Sequence, residues 1–382
     1  MTQHVRFMDG LRGIAVLMVL LFHSHGLGIL PLTLQIGGGL LFELPRAFVN
    51  PGFMGVDLFF FLSGFALFYP YAQHLFEKRP LQSLGRYADR RISKILPSYV
   101  LALVFLTCAC PGSIPASGSA LQHFIRHLLF IHNFWSDSHY SISAPFWTLA
   151  IEAQFYLVFP LIAWCLMRAP WTTLGALSLL AAAYRMILDT QGLAATGHFT
   201  DQLPAYLDVF GFGSMTAYVV VRDRNSEPGL SESRIRIWTG VACAAAALLY
   251  SILCTQDYCL GLPCAAWRND AKGPVAMALF AMCVGISRGA PVLRHILENP
   301  FLLWFSAISY NLYLWNCEIL SWYSRNQPAW LTNLPYGETI SAAFILSSII
   351  GIAWMLTMFI EQPFLRASSI DRIRTTPRGT AP

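Results

Sequence analysis

Apolar runs alternate along this chain with short polar or Pro/Gly-rich segments, at a scale set by a bilayer rather than by a soluble core. Runs long enough to span roughly 30 Å of hydrocarbon fall near residues 8–28, 52–73, 95–112, 145–167, 170–189, 203–221, 237–254, 273–288, 299–319 and 339–360. The eighth is the shortest. The pattern predicts an all-α fold, a polytopic transmembrane helix bundle of about ten spans. Residues 1–366 would form that domain, and 367–382, ASSIDRIRTTPRGTAP, a short basic disordered tail.

Composition agrees. Only 12% of the 382 residues are charged, while 55% are apolar, against about 25% charged in an ordinary soluble domain. With the N-terminus inside, the inner segments collect eighteen Lys and Arg and the outer segments six, Arg268 and Lys272 among these as outer-loop cations. That asymmetry is what the positive-inside rule expects of a multi-pass inner (cytoplasmic) membrane protein with both termini cytoplasmic. The net charge of +5 adds little to this. No basic stripe with interleaved aromatics points to nucleic acid. The nine Cys form no CxxC pair, although Cys254, Cys259 and Cys264 cluster where an outer-loop disulfide could form. The oligomeric state is not legible.

The first run, DGLRGIAVLMVLLFHSH (Asp9–His25), carries polar groups that a lipid-facing helix would avoid. Charge at its head and the lack of a small-x-small cleavage site argue against a signal peptide. Arg12 and His23 are eleven residues apart, which is about three helical turns and ~16 Å of rise on one face. Ionisable groups at such depth usually mark function. His23, Asp57, Glu152, Asn316 and Glu318 are expected near the outer boundary, and Arg12, Arg90, Arg91 and Lys94 near the inner one. A thin ligand with an anionic head inside and a reactive end outside would fit these two layers. Asp57 and Glu152 could instead simply pair with buried cations. In the outer loop at 113–144, His123, His127, His132 and His139 have no ligand-type spacing. Solvated or interfacial histidines are expected there, and no metal site.

At these residues the chain resembles the membrane-bound acyltransferase-3 family. DGLRGIAVLMVLLFHS is similar to its opening motif, a basic residue and then His after ten intervening residues, here Arg12 and His23. GVDLFFFLSGF (Gly55–Phe65), RRISKILPSY (Arg90–Tyr99), FWTLAIEAQFYLVFPL (Phe146–Leu161), SYNLYLWNCEI (Ser309–Ile319) and EQPF (Glu361–Phe364) resemble five further signatures in the family's order. The resemblance implies an O-acyltransferase that takes an acyl group, most often acetyl, from cytoplasmic acyl-coenzyme A. The acceptor would be a hydroxyl on an envelope carbohydrate or, in a smaller branch, on a secreted small molecule such as a macrolide. Many relatives carry His where this chain has Asn316, and Asn cannot exchange a proton near neutral pH. Longer relatives add an extracytoplasmic hydrolase-like domain, which is not expected here.

Oxygen acyl transfer needs a base and donors for a developing oxyanion. His23 is the expected base, with Glu152 (or Asp57) on its other nitrogen. Arg12, Arg90, Arg91 and Lys94 are expected to bind the coenzyme's phosphates. Direct transfer and an acyl-His intermediate are both open. A proton-coupled transporter or flippase is the rival of another class, since it too buries His, Asp and Glu. A non-catalytic acyl-coenzyme A receptor is a third reading.

Overall fold

The computed structural model describes residues 5–30, 33–36, 39–43, 49–194, 196–226, 231–258, 264–328, 330 and 336–367. Within them the chain is a helical bundle. Its long helices are α1 (Arg6–Gly26), α2 (Gly55–Glu77), α3 (Leu84–Ala109), α5 (Phe146–Arg168), α6 (Pro170–Thr190), α7 (Leu207–Ser226), α8 (Glu232–Tyr258), α9 (Cys264–Arg288), α11 (Pro300–Arg325) and α12 (Gly337–Leu356). The shorter α4 (Ala120–Leu128) and α10 (Pro291–Leu297) lie between them, and a π-helical turn, Thr357–Glu361, extends α12. One antiparallel hairpin, Thr33–Ile36 with Gly39–Glu43, is added to an otherwise helical fold. Cys259 and the predicted tail beyond Ala367 lie outside the described residues.

Nine helices among the described residues are long and apolar enough to cross a membrane. The predicted ten also include α11, which is long enough at 26 residues but is not one of the nine. Its Ser, Asn and Glu side chains dilute the apolar run and face the bundle interior at Ser309, Asn311 and Asn316. Lipid-type exposure lies elsewhere. Leu157, Leu161, Leu179, Phe344 and Phe359 are all exposed, as a bilayer-facing surface requires.

Two helix pairs set the frame. In α2 and α7, Gly64 and Gly213 each let the backbone of the facing helix approach closely. A Cβ on Gly64 would stand 2.1 Å from the Phe210 carbonyl oxygen, and one on Gly213 1.9 Å from that of Phe61. Small residues permit this approach, the usual basis of tight packing between membrane helices. Of the nine membrane-length helices among the described residues these two are the most buried, and α8 the least. The second pair is α1 on α11. There a Cβ on Gly13 would stand 2.2 Å from the Leu302 carbonyl oxygen, which fixes the register that brings His23 to Asn316.

Helix ends move several predicted residues. α3 starts at Leu84, capped by the Ser83 hydroxyl, which accepts from the Arg86 amide at 3.4 Å. The helix therefore begins eleven residues before the predicted apolar run and carries Arg90, Arg91 and Lys94 on its surface, where positions three and four apart are neighbours. α9 likewise starts at Cys264, nine residues before the predicted eighth span. Arg268 and Lys272, read from sequence as outer-loop cations, are helical and inside the bundle. Arg268 is ion-paired with the buried Asp201, and Lys272 lies within electrostatic reach of Asp57 and Asp201.

Candidate active site

His23, near the end of α1, is fixed from α11. The Asn316 amide nitrogen donates to the backbone carbonyls of Leu312 (2.9 Å) and Tyr313 (2.7 Å). Only its Oδ1 is then free to meet His23 Nδ1, at 2.6 Å. An oxygen acceptor at Nδ1 places the proton there and leaves Nε2 with a lone pair. The sequence expectation of Glu152 or Asp57 as the hydrogen-bond partner is corrected: the partner is Asn316. Asn suits the position because the amide takes part in the α11 backbone and needs no proton of its own.

His23 opens into a cavity of about 490 Å³ lined also by Phe22, Phe53, Tyr140, Trp147, Arg268, Asn269, Lys272 and Tyr313. A second cavity, about 430 Å³, is lined by Arg12, Arg90, Arg91, Lys94, Ser63, Glu152, Tyr156 and Tyr310. Val56 and Tyr313 line both, so the two adjoin across these side chains. The Tyr313 hydroxyl is tied to Thr148 Oγ1 at 2.9 Å, and its ring meets Phe59 edge-on. A third cavity of about 550 Å³, with Asp9, Arg79 and Arg86, shares Arg12, Ala66 and Arg90 with the second. Volumes of this order suit small-molecule ligands.

The basic cavity brings together all four cations picked from the sequence, but they are not alike. Lys94 is ion-paired with Glu361, which also accepts from the Asn311 amide at 3.0 Å. This joins α3, α11 and the turn after α12. Arg91 lies 5.6 Å from the Tyr156 ring centroid, and its Nε is buried with no hydrogen-bond partner among the described residues. Such a donor is costly to leave unmet and suits an anionic ligand. Glu152 also stands here, accepting from Ser63 Oγ at 2.5 Å and from the Tyr156 hydroxyl. The single outer carboxylate–imidazole layer expected from sequence is thus divided, with Glu152 among the cations and His23 in the other cavity.

Asp57, 2% exposed at the start of α2, lines neither cavity and lies within electrostatic reach of Lys272 and Arg268. Arg268 donates from Nη2 to Asp201 Oδ1 at 2.7 Å and to the Tyr206 hydroxyl at 3.1 Å. Sequence reasoning missed this pair of cations. The available signal was their spacing of four, Arg268 and Lys272 in RNDAK, directly before a short apolar run.

The four loop histidines are also corrected. His123, His127, His132 and His139 are buried, none above 2% exposed. The loop folds inward beneath α3 and α5, with the Tyr99 hydroxyl donating to the His127 carbonyl at 2.9 Å and Gln154 donating to the Phe130 carbonyl at 3.0 Å. His127 and His132 stack with centroids 3.9 Å apart. Burial pushes His127 down to about 4 and His132 well below the ordinary histidine value, so both are neutral near pH 7. Asp201 would be raised by its burial, but Arg268, the nearby His139 and Lys272 hold it below the usual carboxylate range. No group of three or more His, Cys, Asp or Glu among the described residues is placed to hold a metal.

Comparison with known proteins identifies the family. The chain is 25% identical over 340 residues to the peptidoglycan O-acetyltransferase OatA of Listeria monocytogenes, covering 84% of this chain and 50% of that protein. A putative O-acetyltransferase of Staphylococcus aureus is 26% identical over 170 residues, 42% of this chain and 25% of its own length. The putative membrane-bound transacylase BcsY of Komagataeibacter xylinus is 24% identical over 164 residues, 40% and 36% respectively. The chain spans half or less of the length of these relatives. No solved structure matches. A sequence model of the acyltransferase-3 family, described as an acyltransferase domain, matches residues 5–358. With its membrane-length helices, the chain belongs to the acyltransferase-3 family as a multi-pass membrane protein.

Proposed function

We propose that the protein is an integral-membrane O-acyltransferase that moves an acetyl group from cytoplasmic acetyl-coenzyme A to a hydroxyl of an extracytoplasmic carbohydrate. Both termini would then be cytoplasmic and the protein would reside in the cytoplasmic membrane. One observation carries the reading. A cavity lined by four basic side chains adjoins, at Val56 and Tyr313, a second cavity into which a tautomer-fixed imidazole opens. The relative named as a peptidoglycan O-acetyltransferase supports an envelope glycan as acceptor.

In this reading Arg12, Arg90 and Arg91 hold the coenzyme's phosphates, and the pantetheine arm runs beside α1 over the ~16 Å between Arg12 and His23. Lys94 contributes its field while paired with Glu361. His23 Nε2 takes the acceptor hydroxyl's proton as that oxygen bonds to the thioester carbonyl carbon. Nδ1–H stays on Asn316. The tetrahedral intermediate collapses with cleavage of the C–S bond, and the imidazolium returns the proton to the departing thiolate. The products are an ester and free coenzyme. Asn316 therefore acts as a positioning residue, in the place an aspartate takes in a triad.

The test uses the full chain in nanodiscs with labelled acetyl-coenzyme A. Coenzyme release that depends on a hydroxylated acceptor, with label on that acceptor, is the expected result. Passage of an intact solute across liposomes with no coenzyme released would favour a carrier and overturn the reading.

A further inference from the structure

The wall of the His23 cavity has a feature that acyl transfer to a neutral alcohol does not require. Its ionisable lining groups besides His23 and the tyrosines are Arg268 and Lys272, and no carboxylate lines it among the described residues. The counter-charges, Asp57 and Asp201, are buried at 2% and 0% exposure and lie behind the wall. The two cations also differ. Lys272 is wholly buried, donating to the Thr200 carbonyl at 3.3 Å and lying 3.9 Å over the Tyr206 ring. Arg268 keeps 24% of its side chain exposed.

Arg268 is held by aromatic rings that share its cavity. Its guanidinium carbon is 5.1 Å from the Trp147 ring centroid and 5.8 Å from that of Phe53. Its hydrogen bonds to Asp201 and Tyr206 both leave from Nη2, so neither of these uses Nε or Nη1. The Tyr140 hydroxyl, which donates to Asp201 Oδ2 at 3.0 Å, lies beside it. A planar guanidinium anchored on one nitrogen, with donors to spare, matches a carboxylate or phosphate oxygen pair. Phe53 and Trp147 offer flat apolar faces to a ring-shaped substrate. A developing oxyanion at the thioester would need only one such donor and no aromatic flanks.

Resting on the reading of this cavity as the acceptor site, we propose that the acceptor carries an anionic oxygen group, a carboxylate or a phosphate, close to the hydroxyl that is acylated, and that Arg268 binds it. Arg268 would then select the acceptor, while His23 acts on its hydroxyl.

The experiment titrates the protein in nanodiscs calorimetrically with four probes: methyl glucoside, methyl glucuronide, the methyl ester of that glucuronide, and methyl glucoside 6-phosphate. The ester keeps the bulk of the acid and removes its charge. At least one anionic sugar is expected to bind about tenfold or more tighter than both neutral ones, and its identity separates carboxylate from phosphate. Arg268→Lys keeps a cation opposite Asp201, so folding is protected, but it loses the planar fork. It should erase about tenfold of the preference. Equal binding of charged and neutral sugars, including no binding of any, would overturn the proposal, as would full discrimination retained in Arg268→Lys. Acceptor-dependent coenzyme release that is equally fast with neutral and acidic glycans would remove this inference and leave the transferase reading standing. No acceptor-dependent release at all would remove the transferase reading itself.

Discussion

The two adjoining cavities are built by different means. The basic one takes three of its four cations from one helix, Arg90, Arg91 and Lys94 on α3, and the fourth from the first turns of α1. The His23 cavity is assembled across the whole chain, since His23 and its partner Asn316 are 293 residues apart and Arg268 comes from a third helix. Charge also differs. In the basic cavity a carboxylate, Glu152, stands among the cations, whereas around His23 the carboxylates have withdrawn behind the wall. A cluster set by local spacing can bind a generic anion such as a phosphate. One set by long-range packing can fix a tautomer.

If the cavities divide the work, substitutions in each should move different constants. His23→Ala should show the largest effect, a loss of turnover of about 10²-fold or more with the Kd for acetyl-coenzyme A unchanged. Steady-state rates beside donor-binding titrations would check this, and wild-type turnover would remove His23 as the base. Arg91→Ala should do the reverse, raising the donor KM by about tenfold or more with a smaller change in kcat, because the lost contact holds the coenzyme before and during reaction. Asn316→Leu should lower kcat by roughly tenfold with little change in donor KM, by releasing the Nδ1 proton from its acceptor. Asn316→Asp, which keeps the acceptor oxygen, should restore part of that rate, and a variant that only disturbed packing would not be rescued.

Glu152→Gln sharpens the division further. A carboxylate serving His23 would lower kcat when neutralised. One belonging to the basic cavity should change donor KM a few-fold and leave kcat close to wild type, which is the expected result. The smallest effect is on stability. His127 and His132 have folded-state values below the ordinary 6.5, so protons favour the unfolded chain. Their stabilising contribution is complete above about pH 6.5 and is lost as pH falls toward about 4. Thermal melts across that window should decline more steeply in the wild type than in His127→Gln.

What the sequence revealed follows the same line. The α5 and α6 ranges, predicted as 145–167 and 170–189, are found at 146–168 and 170–190, because long apolar periodicity is a local property. The basic cluster was legible for the same reason. The partner of His23 was not, since depth along a helix says nothing of rotation against a neighbour. Glu152 sits at a suitable depth but presents its carboxylate to Ser63 and Tyr156. Arg268 and Lys272 were assigned to a loop because charge normally ends an apolar run. Here Arg268 is ion-paired with Asp201 and Lys272 lies within electrostatic reach of Asp57, residues that sequence order places far away. The buried loop histidines mislead in the same way, because their burial comes from packing against α3 and α5, which sequence spacing does not reveal.

The account depends most on where the thioester sits. A structure of the protein in nanodiscs with a non-hydrolysable acetyl-coenzyme A analogue would test this directly. The account predicts phosphates against Arg12 and Arg91, and the acyl carbonyl past Val56 and Tyr313, close enough to His23 Nε2 to leave room for one hydroxyl between them, about 3–3.5 Å from each reacting atom. An acyl group that stops beside Glu152, or a coenzyme bound outside the basic cavity, would contradict it.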